Sequence, residues 1–266
     1  MFSKKVRIFN IMNQEFKGKT FVITGASSGI GKAVAKLAVE RGANATITAR
    51  RLNELQTTAK EINSPNIEIV SADMTNEADR ELVIKKAVTR FGGINVLVNA
   101  AGIIGSGNIE NTTLEQWDYM MDINLRSVFR MIQLTLPHLI ERKGNIVNVS
   151  SITGVRAFPN VLAYCVSKAG VDQLTHCVGL ELASKGVRIN SVNPGVVVTN
   201  LHRAGGMEDE KYNAFLEHSK TTHPLGRVGQ PEEVAELILF LASERAGWIT
   251  GNSYSIDGGR SQTCAR

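Results

Sequence analysis

The sequence predicts an α/β fold, a doubly wound parallel sheet of about seven strands with helices on both faces. Three observations carry this. Short Val/Ile-rich runs alternate with helical stretches along the chain, and those runs are almost continuously apolar. That is how strands read when helices cover both faces of a sheet. A glycine-rich loop also follows the first run directly.

In order, Thr20 to Thr24 (TFVIT) is the first strand, followed by the loop Gly25-Ala26-Ser27-Ser28-Gly29-Ile30-Gly31 and a helix to Arg41. Asn44 to Ala49 is the second strand and Leu52 to Ile62 the second helix. Ile67 to Ser71 is the third strand, with Asp73 just beyond it. Ala78 to Phe91 is helical, its apolar residues Leu82, Val83, Ala87 and Val88 recurring at near-helical spacing. Val96 to Val98 is the fourth strand, and Leu114 to Ile140 reads as one long amphipathic segment. Asn145 to Val149 is the fifth strand, and Ala163 to Ala183 the helix after it. Arg188 to Val192 is the sixth strand, ending at Asn193-Pro194-Gly195. Asn200 to Leu225 reads as a polar loop, Pro231 to Leu241 as a helix with proline at its start, and Ser253 to Ile256 as the closing strand. No repeat, linker or change of composition divides the chain. A single domain over 17–266 is expected, behind a flexible extension over 1–16. Lys4, Lys5 and Arg7 make that extension only a poor match to a mitochondrial presequence.

With 43% apolar and 21% charged residues, the 266-residue chain can build a large core. No apolar run approaches the ~20 residues of a membrane span. The net charge of +5 comes from Lys and Arg interspersed with acids, without basic–aromatic interleaving. That pattern fits a solvated surface and a site for an anionic cofactor better than nucleic acid. Cys165, Cys177 and Cys264 lack ligand spacing, and their odd number points to a reducing, cytoplasmic compartment. No metal site is expected: His176 and Cys177 are adjacent and diverge from a helix, and His138, His202, His218 and His223 read as surface or loop residues.

In sheets of this kind ligands sit at the carboxyl ends of the strands. Gly25 then allows the tight turn, Gly29 lets backbone approach a pyrophosphate, and Gly31 lets the helix pack against the strand, with the helix N-terminus facing the phosphates. The second strand ends Ala49-Arg50-Arg51 with no acid in reach, so Arg50 would fork onto a 2′-phosphate, with Arg51 as a second contact. NADP(H) is therefore favoured over NAD(H). Tyr164 and Lys168, four positions apart, share one helix face. A free tyrosine, with a pKa of about 10, is a poor acid–base catalyst at neutral pH. A cation within roughly 4–6 Å favours the phenolate and lowers that pKa. Ser151 is the candidate hydroxyl beside the tyrosine, able to hydrogen-bond the same carbonyl oxygen.

Together these residues resemble the short-chain dehydrogenase/reductase family of Rossmann-type enzymes. The match comprises Thr24-Gly25-x-x-x-Gly29-x-Gly31, Asp73, Asn99-Ala100-Ala101-Gly102, Asn124, Ser151, Tyr164 with Lys168, and Pro194-Gly195 with Thr199. It runs from Lys17 to Gly259; the departure is Ala100, where the family often has a second asparagine. The resemblance implies that Tyr164 is the general acid in reduction and the base in oxidation. Lys168 would lower its pKa and hold the nicotinamide ribose, Ser151 would take the substrate oxygen, and Asn124 would anchor a water that passes protons to Lys168. Ser27, Ser28, Ile30 and Ala100 would lie along the cofactor with the glycines. Asp73 and Met74 would flank the adenine, Asn99 and Gly102 a ribose, Val197 the carboxamide, and Thr199 the amide or phosphates. It also implies a homotetramer built on the Leu114–Ile140 segment, the Tyr164 helix and the last strand.

The substrate end is less determined, although the resemblance implies a substrate lid at about 200–225. Leu201, Met207, Tyr212, Phe215 and Leu216 either line an apolar pocket or pack the lid onto the body, and Phe158, Val161 and Leu162 are expected on the opposite wall. A lipophilic ketone, aldehyde or secondary alcohol is the expected substrate. A 3-oxoacyl-thioester reductase is the nearest alternative, with Arg142 and Lys143 as a basic docking face, and a non-catalytic dinucleotide sensor the more distant one.

Overall fold

The computed structural model describes residues 14–263. The strands are β1 (Thr20–Thr24), β2 (Asn44–Ala49), β3 (Ile67–Ser71), β4 (Val96–Asn99), β5 (Asn145–Val149), β6 (Arg188–Pro194) and β7 (Asn252–Ile256). They form one parallel sheet in the order β3-β2-β1-β4-β5-β6-β7. The order reverses between β1 and β4, which opens a crevice at their carboxyl ends.

Strand alternation divides the core in two. Phe21, Ile23 and Ile47 pack on one face against α1 (Gly29–Glu40) and, through Ile238 and Leu239, α10 (Pro231–Ala242). Val22, Leu97, Ile146 and Ile189 face the other way. They meet Val83 and Ala87 of α3 (Glu77–Phe91), Met131 and Leu139 of α5 (Ser127–Arg142), and Val171 and Leu182 of α7 (Leu162–Ala183). The second helix, α2, spans Leu52–Ile62.

Three expectations change. The segment read as one helix over Leu114–Ile140 is α4 (Leu114–Met121), a π-helical turn at Asp122–Arg126, and α5. The wider turn carries Asn124 into the interior, where it is fully buried. Hydrophobic periodicity read over the whole segment does not resolve a single wide turn.

The segment expected as a polar loop over Asn200 to Leu225 is largely helical, with α8 (Leu201–Ala204) and α9 (Asp209–Thr222). α9 reads as polar because its buried residues are only Tyr212 and Ser219. Asp209 and Glu210 in its first turn and Lys220 in its last complement the helix dipole. β6 also runs on to Pro194, which pairs with Ile256 of β7.

Of the expected N-terminal extension, residues 1–13 lie outside the described residues. Phe16 is buried edge-on against Phe21, and Glu15 pairs with Arg245 at 2.8 Å, so these two belong to the body.

The turn into α1 leaves no room for side chains. A Cβ on Gly31 would lie 2.5 Å from the Gly25 carbonyl oxygen, backbone that cannot yield. Overpacking of this kind costs about 1–3 kcal/mol. Gly31→Ala is expected to lower the melting temperature by several degrees and to weaken dinucleotide binding; an unchanged melt with unchanged binding would show that the turn has slack.

Candidate active site

A cavity of about 520 Å³ opens at the carboxyl ends of the strands. It extends from Arg50, Asp73 and Met74, beyond β2 and β3, to Ser151, Tyr164 and the helices α8 and α9, beyond β5 and β6. Gly25, Ser27, Ser28, Gly29, Ile30 and Gly31 form its floor at the start of α1. Gly25 has φ +67°, and a Cβ there would stand 2.7 Å from the Ala100 oxygen and the Ala101 nitrogen. The Thr24 hydroxyl ties the two loops together by accepting from the Ala100 and Ala101 amides at 3.1 and 3.0 Å. Ser28 makes no side-chain capping bond, which leaves the amides at the start of α1 directed at the cavity.

At the β2 end Arg50 is exposed, and its Nη1 donates to the Tyr119 hydroxyl at 2.9 Å. Arg51 also lines the cavity, its Nε paired with Glu54 at 2.7 Å. Partial burial pushes the Asp73 carboxyl up. Bonds from the Thr75 amide and hydroxyl at 2.9 and 2.8 Å outweigh this with help from Arg50 and Arg80, and hold it below the ordinary range.

At the other end, Ser151 precedes the short helix α6 (Ile152–Val155), and its hydroxyl accepts from the Thr153 amide at 3.2 Å. Tyr164 and Lys168 project from α7, both buried. Lys168 Nζ donates to the Val149 carbonyl at 2.9 Å and stands 5.7 Å from the centre of the Tyr164 ring. Burial pulls the Lys168 amine down to about 8, against the opposing pull of the Asp172 carboxylate. Burial also pushes the Tyr164 phenol up to about 12, opposed by hydrogen bonding with Ser151 and reinforced by Cys165. The phenol is thus raised, where Lys168 was expected to lower it. Burial of the ring dominates, and the opposing contribution comes from the Ser151 hydrogen bond.

Other sequence-selected residues separate into two groups. Ala100, Gly102, Pro194, Gly195, Val197 and Thr199 line the cavity, as do Leu201, Phe215, Phe158 and Val161. Asn99 does not: it is buried and its Nδ2 donates to Asn148 Oδ1 at 2.9 Å. Asn124 is also withdrawn from the wall. Its Oδ1 accepts from the Ile103 amide at 2.9 Å and its Nδ2 donates to the Ile103 carbonyl at 3.0 Å, which braces the loop after β4. Tyr212 packs α9 onto the loop after β6 instead of lining the pocket. Its hydroxyl donates to the Thr199 carbonyl at 2.8 Å and accepts from the Thr199 amide at 3.2 Å. Met207, Leu216 and Leu162 are not among the lining residues.

Two groups escaped the sequence reading. Asp172 lies buried one turn beyond Lys168; its Oδ1 accepts from Ser191 at 2.9 Å and its Oδ2 from Asn193 Nδ2 at 2.7 Å. Asn193 Nδ2 also donates to the Ser151 carbonyl at 2.9 Å, so the carboxylate braces both Ser151 and the Lys168 helix. The extension of Tyr164–Lys168 by another four residues was the available signal. His223, expected on the surface, is buried, and the Val196 amide donates to its Nε2 at 3.1 Å. Its proton therefore sits on Nδ1, facing the Ser219 carbonyl at 2.7 Å, and the ring joins α9 to the loop after β6. His202 likewise belongs to the cavity wall, 4.7 Å from the Phe215 ring, and burial lowers its pKa.

Among the described residues no group of three or more His, Cys, Asp or Glu side chains is placed to hold a metal, and no helix is long and apolar enough to cross a membrane. Cys165 and Cys177 are free; Cys264 lies outside the described residues.

A family model described as enoyl-(acyl carrier protein) reductase matches residues 25–261. The chain is 37% identical over 246 residues to a 3-oxoacyl-[acyl-carrier-protein] reductase of Thermotoga maritima, covering 91% of this chain and 98% of that protein. It is 36% identical over 254 residues to a cyclohexanol dehydrogenase of an Acinetobacter species, covering 93% and 97%. A crystal structure of a short-chain dehydrogenase/reductase of unknown function from Caenorhabditis elegans, with cofactor, superimposes with a TM-score of 0.90 at 37% identity, covering 94% of this chain and 98% of that one.

Proposed function

The chain belongs to the classical short-chain dehydrogenase/reductase family of oxidoreductases, and within it we propose an NADP(H)-dependent enzyme that interconverts a ketone or aldehyde with an alcohol. The observation that supports this most is the pairing, in one cavity, of Arg50 at the end of β2 with Ser151, Tyr164 and Lys168 at the other end.

The residues fit a nicotinamide dinucleotide: the glycine turn excludes side chains, the uncapped start of α1 suits a pyrophosphate, and Arg50 offers a fork for a 2′-phosphate. Arg51 stands beside it, Asp73 and Met74 would flank the adenine, and Gly102, Val197 and Thr199 would line the cofactor toward the substrate. The bound nicotinamide supplies the hydride. Tyr164 gives its proton to the carbonyl oxygen in reduction and takes it back in oxidation, while the Ser151 hydroxyl donates to the same oxygen. Lys168 provides the positive charge that supports this transfer and holds the ribose. Asn124 keeps the Ile103 loop in place and so acts on position.

The protonation states predict a pH profile. With a pKa near 8, Lys168 is charged below that pH and loses its charge above it. Reduction is therefore expected to fall as the pH rises through about 8. Asp172 favours the charged amine, so Asp172→Asn is expected to move that alkaline limb to lower pH. A lower rate with an unmoved limb would make Asp172 a brace only.

A second reading, favoured by the relatives, is reduction of a 3-oxoacyl thioester. Of its expected docking pair, Arg142 Nη2 is engaged with the Gly92 carbonyl at 2.6 Å. Initial rates with acetoacetyl-CoA against 2,3-butanedione and a 3-ketosteroid separate the two readings; NADPH binding without turnover of any carbonyl would favour a sensor. A homotetramer in the cytoplasm is part of the proposal. Exposed Phe129 of α5 and Val166 and Leu180 of α7 suit buried subunit contacts, and a monomeric elution profile would contradict them.

A further inference from the structure

We propose that the substrate half of the cavity receives an anionic group at Arg260, so that the carbonyl compound is amphipathic, with an apolar chain and a carboxylate or phosphate. This rests on the oxidoreductase reading and names the substrate class for the same site.

The charges along the cavity are one-sided. Its only lining carboxylate among the described residues is Asp73, beyond β3 at the dinucleotide end. The substrate half is lined instead by Arg260, His202, His218 and His223, with Phe158, Val161 and Phe215 supplying apolar wall. His223 is already committed to Val196 and Ser219, and burial keeps His202 toward its neutral form. Apart from Lys168, which is engaged beside Tyr164, Arg260 is thus the cation of that half.

Its surroundings hold it in place without neutralising it. Asp257 accepts from the Gly259 and Ser261 amides at 3.0 and 2.6 Å, which fixes the turn that carries Arg260. Arg156 Nη1 donates to the Arg260 and Ser261 carbonyls at 3.0 and 3.1 Å and braces the turn from α6. The Arg260 guanidinium lies 5.7 Å from the centre of the Phe158 ring, and its Nη1 donates to the Thr222 carbonyl at 3.1 Å. None of the ion pairs among the described residues involves it. Among the described residues one neutral acceptor leaves most of its five donors unused, and a carboxylate or phosphate is the group that fork fits.

The test is binding to the protein–NADP+ complex, in which a ketone cannot be reduced. Calorimetry would compare 4-oxopentanoate, 5-oxohexanoate and 7-oxooctanoate with their methyl esters, and acetoacetyl-CoA with the phosphate-free N-acetylcysteamine thioester. At least one anion is expected to bind about 10–100-fold more tightly than its neutral partner. Arg260→Met should abolish that advantage, and Arg260→Lys should keep part of it, with melting temperatures unchanged. An advantage confined to the CoA thioester would identify a phosphate as the anion, and one confined to the acids a carboxylate. Equal binding of every pair, or an equal loss of both members in Arg260→Met, would overturn the proposal. Arg260-dependent binding without NADPH-dependent turnover would count against the oxidoreductase reading and leave the anion site standing.

Discussion

Tyr164→Phe is expected to reduce turnover by about 10²–10⁴-fold while leaving NADPH binding nearly intact. The change removes one hydroxyl from a buried ring whose packing phenylalanine can reproduce. The Tyr164 main-chain carbonyl still accepts from Ser167 at 2.7 Å, so α7 and Lys168 keep their places. Only the proton destined for the substrate oxygen is lost. Stopped-flow rates and cofactor fluorescence measured on the same preparation separate chemistry from binding. Retained turnover would place the acid elsewhere, and a parallel loss of binding would show that the ring mainly shapes the cofactor site.

The second large effect is expected at the other end of the cavity. Arg50→Asp should lower the preference for NADPH over NADH by about 10–100-fold, as loss of a charge-assisted fork and gain of repulsion combine. Arg50 is exposed, and its described side-chain bond is to the Tyr119 hydroxyl, so the substitution costs the fold little. The ratio of kcat/KM values for the two cofactors reads the effect directly. An unchanged ratio would transfer the selection to Arg51 or exclude the phosphate from this corner.

What could be read beforehand follows from how each feature is encoded. The strands were legible because burial on both faces demands continuous apolar runs, as in TFVIT and NIVNV. The glycine loop and the Tyr164–Lys168 pair were legible because their chemistry depends on short spacings within one element. The π-turn at Asp122–Arg126 was not, since it alters hydrogen bonding without altering composition. α9 was hidden because a helix that buries only Tyr212 and Ser219 looks polar. His223 and Asp172 were missed for another reason: their partners, Val196, Ser191 and Asn193, come from other elements and become neighbours only when the sheet closes. Asn99 shows the converse. Its motif suggested a ribose contact, while its partner is Asn148 on the adjacent strand.

The most direct measurement is the oxidation of NADPH and, separately, of NADH with 2,3-butanedione, farnesal, a 3-ketosteroid and acetoacetyl-CoA. The account predicts turnover of at least one carbonyl class, faster with NADPH, with the cofactor preference lost in Arg50→Asp and the rate lost in Tyr164→Phe. Tight NADPH binding with no oxidation in the presence of any carbonyl, or a clear preference for NADH, would contradict it.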